Sequence, residues 1–175
     1  MDSADTLDGH LVVALRGSLQ APVQLGSRTD WANRAAAAPG VGVDLSFGIS
    51  RHVALGVRAS HAWLGDSSDH LEGGGLTGGG LLLRYHLSQG VRFDPWLAAS
   101  LGLLSRAPST GPSLILAEAI RFEMGGDWYA TRGVGFGPVL AGALMAPLSG
   151  AVGEPRQLAG LAEFSVRLVV DRPGK

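Results

Sequence analysis

Residues 41–50 alternate strictly between large apolar side chains and small or polar ones. Apolar residues occupy every odd position, and glycine, serine or Asp44 occupies every even one. Successive side chains of a β-strand point to opposite faces, so this segment predicts a strand with one apolar face and one polar face. A helix would scatter the same apolar residues around its circumference. The pattern therefore requires a sheet that separates two different environments.

The same period of two recurs in seven further segments, so we predict eight strands of roughly ten residues each. The seven segments are residues 10–21, 53–63, 81–87, 93–103, 120–128, 134–144 and 162–170. Short connections alternate along the chain with four longer ones, at residues 22–40, 65–73, 105–115 and 148–157. In an antiparallel meander, alternate connections lie at opposite ends. We therefore expect a turn rim, which also holds both termini, and an opposite loop rim.

Composition excludes several classes of protein. The 175 residues include no cysteine, which excludes a disulfide scaffold, and the net charge of -1 gives no electrostatic reason to bind nucleic acid. An apolar fraction of 46% argues against disorder. The longest charge-free stretch, residues 133–153, contains six glycines and two prolines, so we do not interpret it as a membrane helix.

The composition of the two faces predicts which one is buried. The polar face carries mostly glycine, serine and alanine with isolated charges, whereas a face in water usually carries long solvated side chains. The apolar face carries large leucine, valine and phenylalanine side chains, which would overfill the interior of an eight-stranded barrel. We therefore expect the apolar face to point outward into lipid. A soluble, lipocalin-like barrel with the inverse polarity is the alternative.

Nine charged residues fall on the predicted lumen face: Arg16, Asp44, Arg58, Arg84, Arg121, Glu123, Asp127, Glu163 and Arg167. Buried charges are tolerated where they neutralise one another. Members of four adjacent strands predict a lateral row of alternating sign, in the order Glu163, Arg16, Asp44, Arg58. A second set, Arg84, Asp127 and Arg167, is expected nearer the turn rim. We interpret these residues as a structural ion-pair network, and a gated ion path is the alternative.

Aromatic residues on the apolar face group by height. Tyr85, Phe93 and Trp128 fall near the turn rim, and Trp63 falls near the loop rim. This distribution is typical of the aromatic girdles of membrane barrels. Simple core packing of these rings is the alternative.

Residues 41–50, 120–132, 134–138 and 164–170 carry a resemblance to a known family. Over about residues 10–170 the chain resembles the small eight-stranded outer-membrane β-barrels of the OmpA and OmpX type. The resemblance implies an all-β fold, an eight-stranded antiparallel up-and-down transmembrane β-barrel, with periplasmic turns, external loops and a lumen plugged by ion pairs. One departure is the end of the chain. Family members commonly end on an aromatic residue, but here residues 171–175 follow the last strand.

We predict an N-terminal tail over residues 1–9, the barrel over residues 10–170 and a C-terminal tail over residues 171–175. No basic start with a following apolar run occurs, so no export signal is expected in this sequence. The resemblance implies the outer membrane of a Gram-negative bacterium, with the lipid bilayer and lipopolysaccharide as partners. We expect a monomer that binds no nucleic acid, metal or cofactor.

The expected function is that of a non-enzymatic structural anchor or a surface-binding protein that acts through its external loops. The first loop offers Ser27, Arg28, Trp31 and Arg34. The second loop offers Asp66, Asp69, His70 and Glu72, which we interpret as solvated charge because they lack the ligand spacing of a calcium loop.

Two alternatives from other classes remain. A lipid-modifying enzyme needs a nucleophile, a base and a carboxylate within reach of lipid. His86 and Ser88 form the one His-x-Ser and lie beside a turn, while lipid-facing His61 has no serine partner on its face. A narrow pore or a carrier of small hydrophobic molecules is disfavoured, because side chains just fill the interior of eight strands.

Overall fold

The computed structural model describes residues 7–24, 37–64, 74–88, 92–108, 114–148 and 158–172. The strands are β1 (Leu11–Gln24), β2 (Ala38–Gly48), β3 (Val53–Leu64), β4 (Gly74–His86), β5 (Phe93–Pro108), β6 (Leu114–Thr131), β7 (Val134–Pro147) and β8 (Ala159–Arg172). Each is antiparallel to the next, and β1 also pairs with β8, so the sheet is a closed barrel. The predicted fold class is therefore confirmed. No helix in the described part of the chain is long and apolar enough to span a membrane.

Short connections and long ones lie at opposite ends of the barrel. Residues 49–52 and 132–133 join strands at the turn rim, where the end of β4 also pairs with β5, and the pairing of Leu11 with Arg172 places the outer ends of β1 and β8 there too. The strand ends that precede and follow the four longer connections lie at the opposite, loop rim. The loop residues singled out in the sequence, at positions 27–34 and 66–72, fall outside the described residues.

The strands extend beyond the segments with clean alternation. β6 begins at Leu114 and contains a register shift between Glu118 and Ile120, and the β5–β6 pairing shifts between Ser100 and Gly102. Such bulges interrupt the period of two. Alternation therefore identifies the middle of β6 and misses its loop-side end.

The large apolar side chains point outward, as predicted. Leu45, Phe47 and Val166 are 45%, 50% and 51% exposed, whereas Arg16 and Glu163 are only 6% and 7% exposed. All eight strands contribute exposed apolar residues. The barrel is thus apolar outside and charged within, the inverse of a soluble ligand-binding barrel.

The lumen is divided into layers along its axis. The loop-rim end is filled by an apolar cluster, which we call the apolar plug: Ala38, Ala62, Leu76, Leu104, Leu116, Ala143, Met145, Ala159 and Leu161. The charged residues occupy the middle. Toward the turn rim, Trp96 packs with Leu82, Ala98 and Val139.

Candidate functional site

Glu123 on β6 is the centre of the charged layer. Its carboxylate accepts hydrogen bonds from Arg16 Nη1 and Nη2 at 3.1 and 2.9 Å, from Arg58 Nη2 at 2.8 Å and from Arg121 Nε at 2.8 Å. Arg58 Nη1 also lies 2.5 Å from its Oε1. The Glu123 side chain is 0% exposed. One carboxylate therefore links strands β1, β3 and β6 through the middle of the lumen.

Asp44 on β2 is a second acceptor for the same arginines. It accepts from Arg16 Nη2 at 2.5 Å and Nε at 3.0 Å, from Arg58 Nε at 3.1 Å and from Arg84 Nη2 at 3.0 Å. Register places Asp44 directly opposite Arg58 on β3, whereas Arg16 lies two residues from Ala14, the partner of Asp44 on β1, and Arg84 reaches Asp44 from β4, two strands away. Hydrogen bonds to charged groups are stronger than neutral ones, and several converge here.

Arg121 connects this centre to the loop side of the charged layer. Its Nη2 donates to Glu163 on β8, and its Nη1 lies 3.5 Å from Glu118 Oε2. Gln20 Nε2 donates to Glu163 at 3.1 Å, and Ser100 Oγ donates to Glu118 at 3.4 Å. Glu118, Glu123 and Glu163 thus surround one guanidinium.

The members of the predicted row of alternating charge are linked by ion pairs, but Glu163 and Arg16 do not lie opposite each other. Glu163 pairs in register with Gln20, whereas Arg16 pairs with Arg167, so Glu163 sits four residues nearer the loop rim than Arg16. Arg16 Nη1 and Glu163 Oε1 are 4.0 Å apart, and the close partners of Arg16 are Glu123 and Asp44. Stagger between neighbouring strands of a barrel, which a count along each strand ignores, causes the difference.

The second predicted set is divided between two clusters. Asp127 and Arg167 do pair, with Arg167 Nε 3.3 Å from Asp127 Oδ1, but Arg84 forms its ion pair with Asp44. Trp96 lies between the clusters, with the Cζ atoms of Arg84 and Arg167 4.5 and 4.8 Å from its ring centroid. Its Nε1 donates to Asp127 Oδ2 at 3.1 Å. An indole face attracts cations, so Trp96 supports both arginines.

Three further ionisable groups were absent from the predicted network. Asp94 shares a 2.6 Å hydrogen bond with His86 Nδ1, and both lie on the lumen face beside the turn rim. Asp94 lies two residues before Trp96 in β5, so the alternation predicts that both face the lumen. Alternation cannot identify Glu118 as a lumen residue, because the bulge between Glu118 and Ile120 shifts the residues before it to the opposite face of β6.

The arginines and carboxylates of the charged layer are equal in number. Among the described residues, five buried arginines accompany five buried carboxylates, with His86 and Asp94 as an additional pair. The carboxylates of the first group are Asp44, Glu118, Glu123, Asp127 and Glu163. Removing one partner of a buried pair leaves an uncompensated charge, so each member of the layer depends on the others.

Little open space remains beside the charged layer. A cavity of about 10 Å³ is lined by Arg16, Gln20, Asp44, Arg121 and Glu163, among others. This is room for about one water molecule. The arrangement of ion pairs and apolar plug can therefore hold the lumen closed.

The four predicted interface aromatics all lie on the outer surface. Trp63 is 50% exposed, Tyr85 48%, Phe93 38% and Trp128 44%. Phe93 and Trp128 pair across β5 and β6 with ring centroids 4.5 Å apart. Trp63 lies near the loop-side end of β3, and the other three lie near the turn rim.

The two histidines considered for catalysis differ in position. His86 is 3% exposed and paired with Asp94, so lipid does not reach it. His61 lies on the outer face, where its Nδ1 shares a 2.7 Å hydrogen bond with Thr77 Oγ1. Within the ranges that the structure describes, no three His, Cys, Asp or Glu side chains are grouped in a way that could hold a metal ion.

Comparison with solved structures confirms the resemblance at the level of the fold. Neisserial surface protein A is 14% identical, with 93% of this chain and 99% of that chain covered and a TM-score of 0.66. The N-terminal β-barrel domain of Pseudomonas aeruginosa OprF is 17% identical, with coverages of 93% and 98% and a TM-score of 0.54. The outer membrane enzyme PagL is 10% identical, with coverages of 90% and 98% and a TM-score of 0.54. No family model and no curated protein sequence matches the chain.

Proposed function

We propose that the chain is an integral outer-membrane β-barrel of a Gram-negative bacterium, with a closed, salt-bridged lumen and no catalytic role. It serves as a structural anchor in the lipid bilayer and presents its external loops for surface contacts. The observation that carries this proposal is the combination of an apolar outer surface with buried ion pairs in the middle of the lumen. The fold shared with Neisserial surface protein A and the OprF barrel domain supports it.

The height of the apolar surface fits a bilayer. Val53, which pairs with Tyr85, lies ten residues from Trp63 along β3. At ~3.4 Å per residue and a strand tilt near 40°, this distance corresponds to ~26 Å along the barrel axis. The apolar band of an outer-membrane barrel is about 25 Å tall. Tyr85 and Trp63 would then lie at the two membrane interfaces, with Phe93 and Trp128 joining Tyr85.

The bilayer and lipopolysaccharide are the proposed partners of the outer surface. Closure of the barrel leaves no free strand edge to pair with a second copy, which supports a monomer. The loops would carry any surface binding. An enzymatic role has less support, because the hydrogen-bond partner of lipid-facing His61 among the described residues is the Thr77 hydroxyl and not a carboxylate.

Heat-modifiable gel migration tests the membrane assignment. Protein refolded into detergent or liposomes should migrate as a compact species before boiling and at its full mass afterwards, while the urea-unfolded chain gives only the second band. A chain that is soluble and monomeric without detergent, with no shift on boiling, would contradict the proposal.

Solute permeation tests the closed lumen. Because the ion pairs and the apolar plug fill the interior, liposomes containing the refolded protein should swell in isotonic arabinose no faster than empty liposomes. A porin provides the positive control. Swelling that rises with the amount of protein inserted would show that the lumen conducts.

A further inference from the structure

Three polar side chains on adjacent strands interrupt the apolar outer surface. His61 on β3 pairs in register with Thr77 on β4, and Thr77 pairs in register with Ser105 on β5. The register partners of this set in the flanking strands are apolar: Val41 on β2 and Ile115 on β6. We call His61, Thr77 and Ser105 the polar row.

The contacts of His61 fix the position of its ring. The ring centroid lies 5.0 Å from that of Trp63 at an angle of 78°, an edge-to-face arrangement. A Cβ atom added at Gly75 would lie 2.8 Å from His61 Cε1, so the ring occupies space that glycine alone leaves open. With the Thr77 hydrogen bond, three neighbours hold the imidazole.

The depth of the polar row selects the part of a lipid that it meets. His61 lies eight residues from Val53 along β3, or ~21 Å above the turn-side aromatic level by the rise and tilt used above. Trp63 marks the loop-side interface ~5 Å higher. His61 thus lies just below the headgroups, where acyl chains join the lipid backbone through ester linkages.

The polar row has donor hydrogens that no neighbouring side chain among the described residues accepts. In one tautomer Thr77 donates to His61 Nδ1 and leaves His61 Nε2–H free; in the other, His61 donates and leaves the Thr77 hydroxyl hydrogen free. Ser105 supplies another hydroxyl. A donor in hydrocarbon without an acceptor is costly, so this row requires an acceptor from its surroundings.

Small side chains on the turn-rim side of the polar row leave space for a lipid acyl chain. Ala59 pairs in register with Gly79, directly below His61 and Thr77. A Cβ atom added at Gly79 would have one neighbour within 4 Å, the Arg58 carbonyl oxygen at 3.1 Å, so the outward side of Gly79 is open. Leu81 is 62% exposed and Leu103 is 56% exposed, and both border this hollow.

We propose that the polar row binds an acyl-ester carbonyl of an outer-leaflet lipid, whose hydrocarbon chain lies over Ala59 and Gly79. The site depends on the proposed membrane location and adds a specific lipid contact to it. Ester-linked acyl chains occur in both glycerophospholipids and lipid A, so the shared ligand is the ester carbonyl.

Native mass spectrometry of the refolded barrel tests this site. The protein is released from micelles containing equal amounts of an ester-linked phosphatidylethanolamine and its dialkyl ether analogue of equal chain length. The wild type should retain the ester lipid about fivefold more often, the effect of one net hydrogen bond. A second arm replaces the ether lipid with lipid A, and the more strongly retained lipid identifies the source of the ester.

Variants separate the polar row from general lipid adhesion. H61F/T77V/S105A removes every donor of the polar row and should lower the ester-to-ether ratio to about one. G75A displaces the His61 ring and leaves the two hydroxyls, so it should lower the ratio by a smaller factor. Leu83→Ala, which changes an exposed apolar residue elsewhere on β4, should keep the wild-type ratio. An ester-to-ether ratio of about one in the wild type, or a wild-type ratio in both variants of the polar row, would overturn the inference. Heat-modifiable migration in the same sample shows whether the barrel inserted, so this failure is distinct from failure of the proposed function.

Discussion

Replacement of Glu123 by glutamine tests the interdependence of the charged layer. The substitution keeps the side-chain shape and removes one negative charge from the contacts with Arg16, Arg58 and Arg121. Breaking a buried ion pair costs about 3–5 kcal/mol. The arginines keep other carboxylate partners, and glutamine keeps one acceptor oxygen, so we expect a loss of about 3 kcal/mol in the free energy of unfolding.

The assay is reversible urea unfolding in lipid vesicles, followed by tryptophan fluorescence and by gel migration. With an m-value of ~2 kcal/mol/M, the midpoint should fall by ~1.5 M at unchanged slope. Glu118→Gln is the matched control in the same strand, because Glu118 has one arginine contact at 3.5 Å and its side chain is 9% exposed. We expect a loss of about 1 kcal/mol there.

A paired substitution adds a second criterion. In R58L/E123L both charges of one contact are replaced by apolar groups, so no charge imbalance remains, and the double variant should lose less stability than the sum of R58L and E123L. If E123Q shifts the midpoint no more than Glu118→Gln does, Glu123 is not the centre of the layer.

Two further pairs of variants test close packing and the role of the indole. Gly137→Ala places a methyl group against a backbone carbonyl oxygen of β6, whereas the methyl group of Gly142→Ala, in the same strand, meets nothing within 4 Å. The urea midpoint should fall clearly for Gly137→Ala and stay near the wild-type value for Gly142→Ala. Equal midpoints would argue against the tight β6–β7 contact. Trp96→Phe removes the hydrogen bond to Asp127 and keeps an aromatic face, while Trp96→Leu removes both. The leucine variant should therefore be less stable by about 1–2 kcal/mol more in the same assay, and identical losses would exclude a cation–π contribution.

Strand faces could be predicted from the sequence because the two environments differ so strongly. In β2 every outward residue from Val41 to Phe47 is large and apolar and every lumen residue from Gly40 to Gly48 is small or charged, so a period of two suffices. Near the loop rim this contrast disappears. Leu116 and Met145 face the lumen while their neighbours Ile115 and Leu144 face outward, so both faces are apolar there and the apolar plug gives no alternating signal.

Partners across the lumen could not be predicted for a different reason. Alternation assigns a residue to a face but not to a height, and the stagger of the strands sets the relative heights. The pairing of Arg16 with Glu123 joins residues 107 positions apart in the chain, on strands that are not neighbours. Bulges add a second source of error, and Glu118 shows it: its parity predicts an outward side chain, but the structure places it in the lumen.

The orientation of the side chains is the central claim, and contacts between methyl groups and lipid measure it in the unmodified protein. In nanodiscs, methyl protons of Val43, Leu45 and Val166 should give intermolecular nuclear Overhauser effects to lipid acyl-chain protons. Those of Val12 and Val139, which are 4% and 1% exposed, should give none. Acyl-chain contacts to Val12 and Val139, with water contacts to Val43 and Leu45, would contradict a barrel that is apolar outside and charged within.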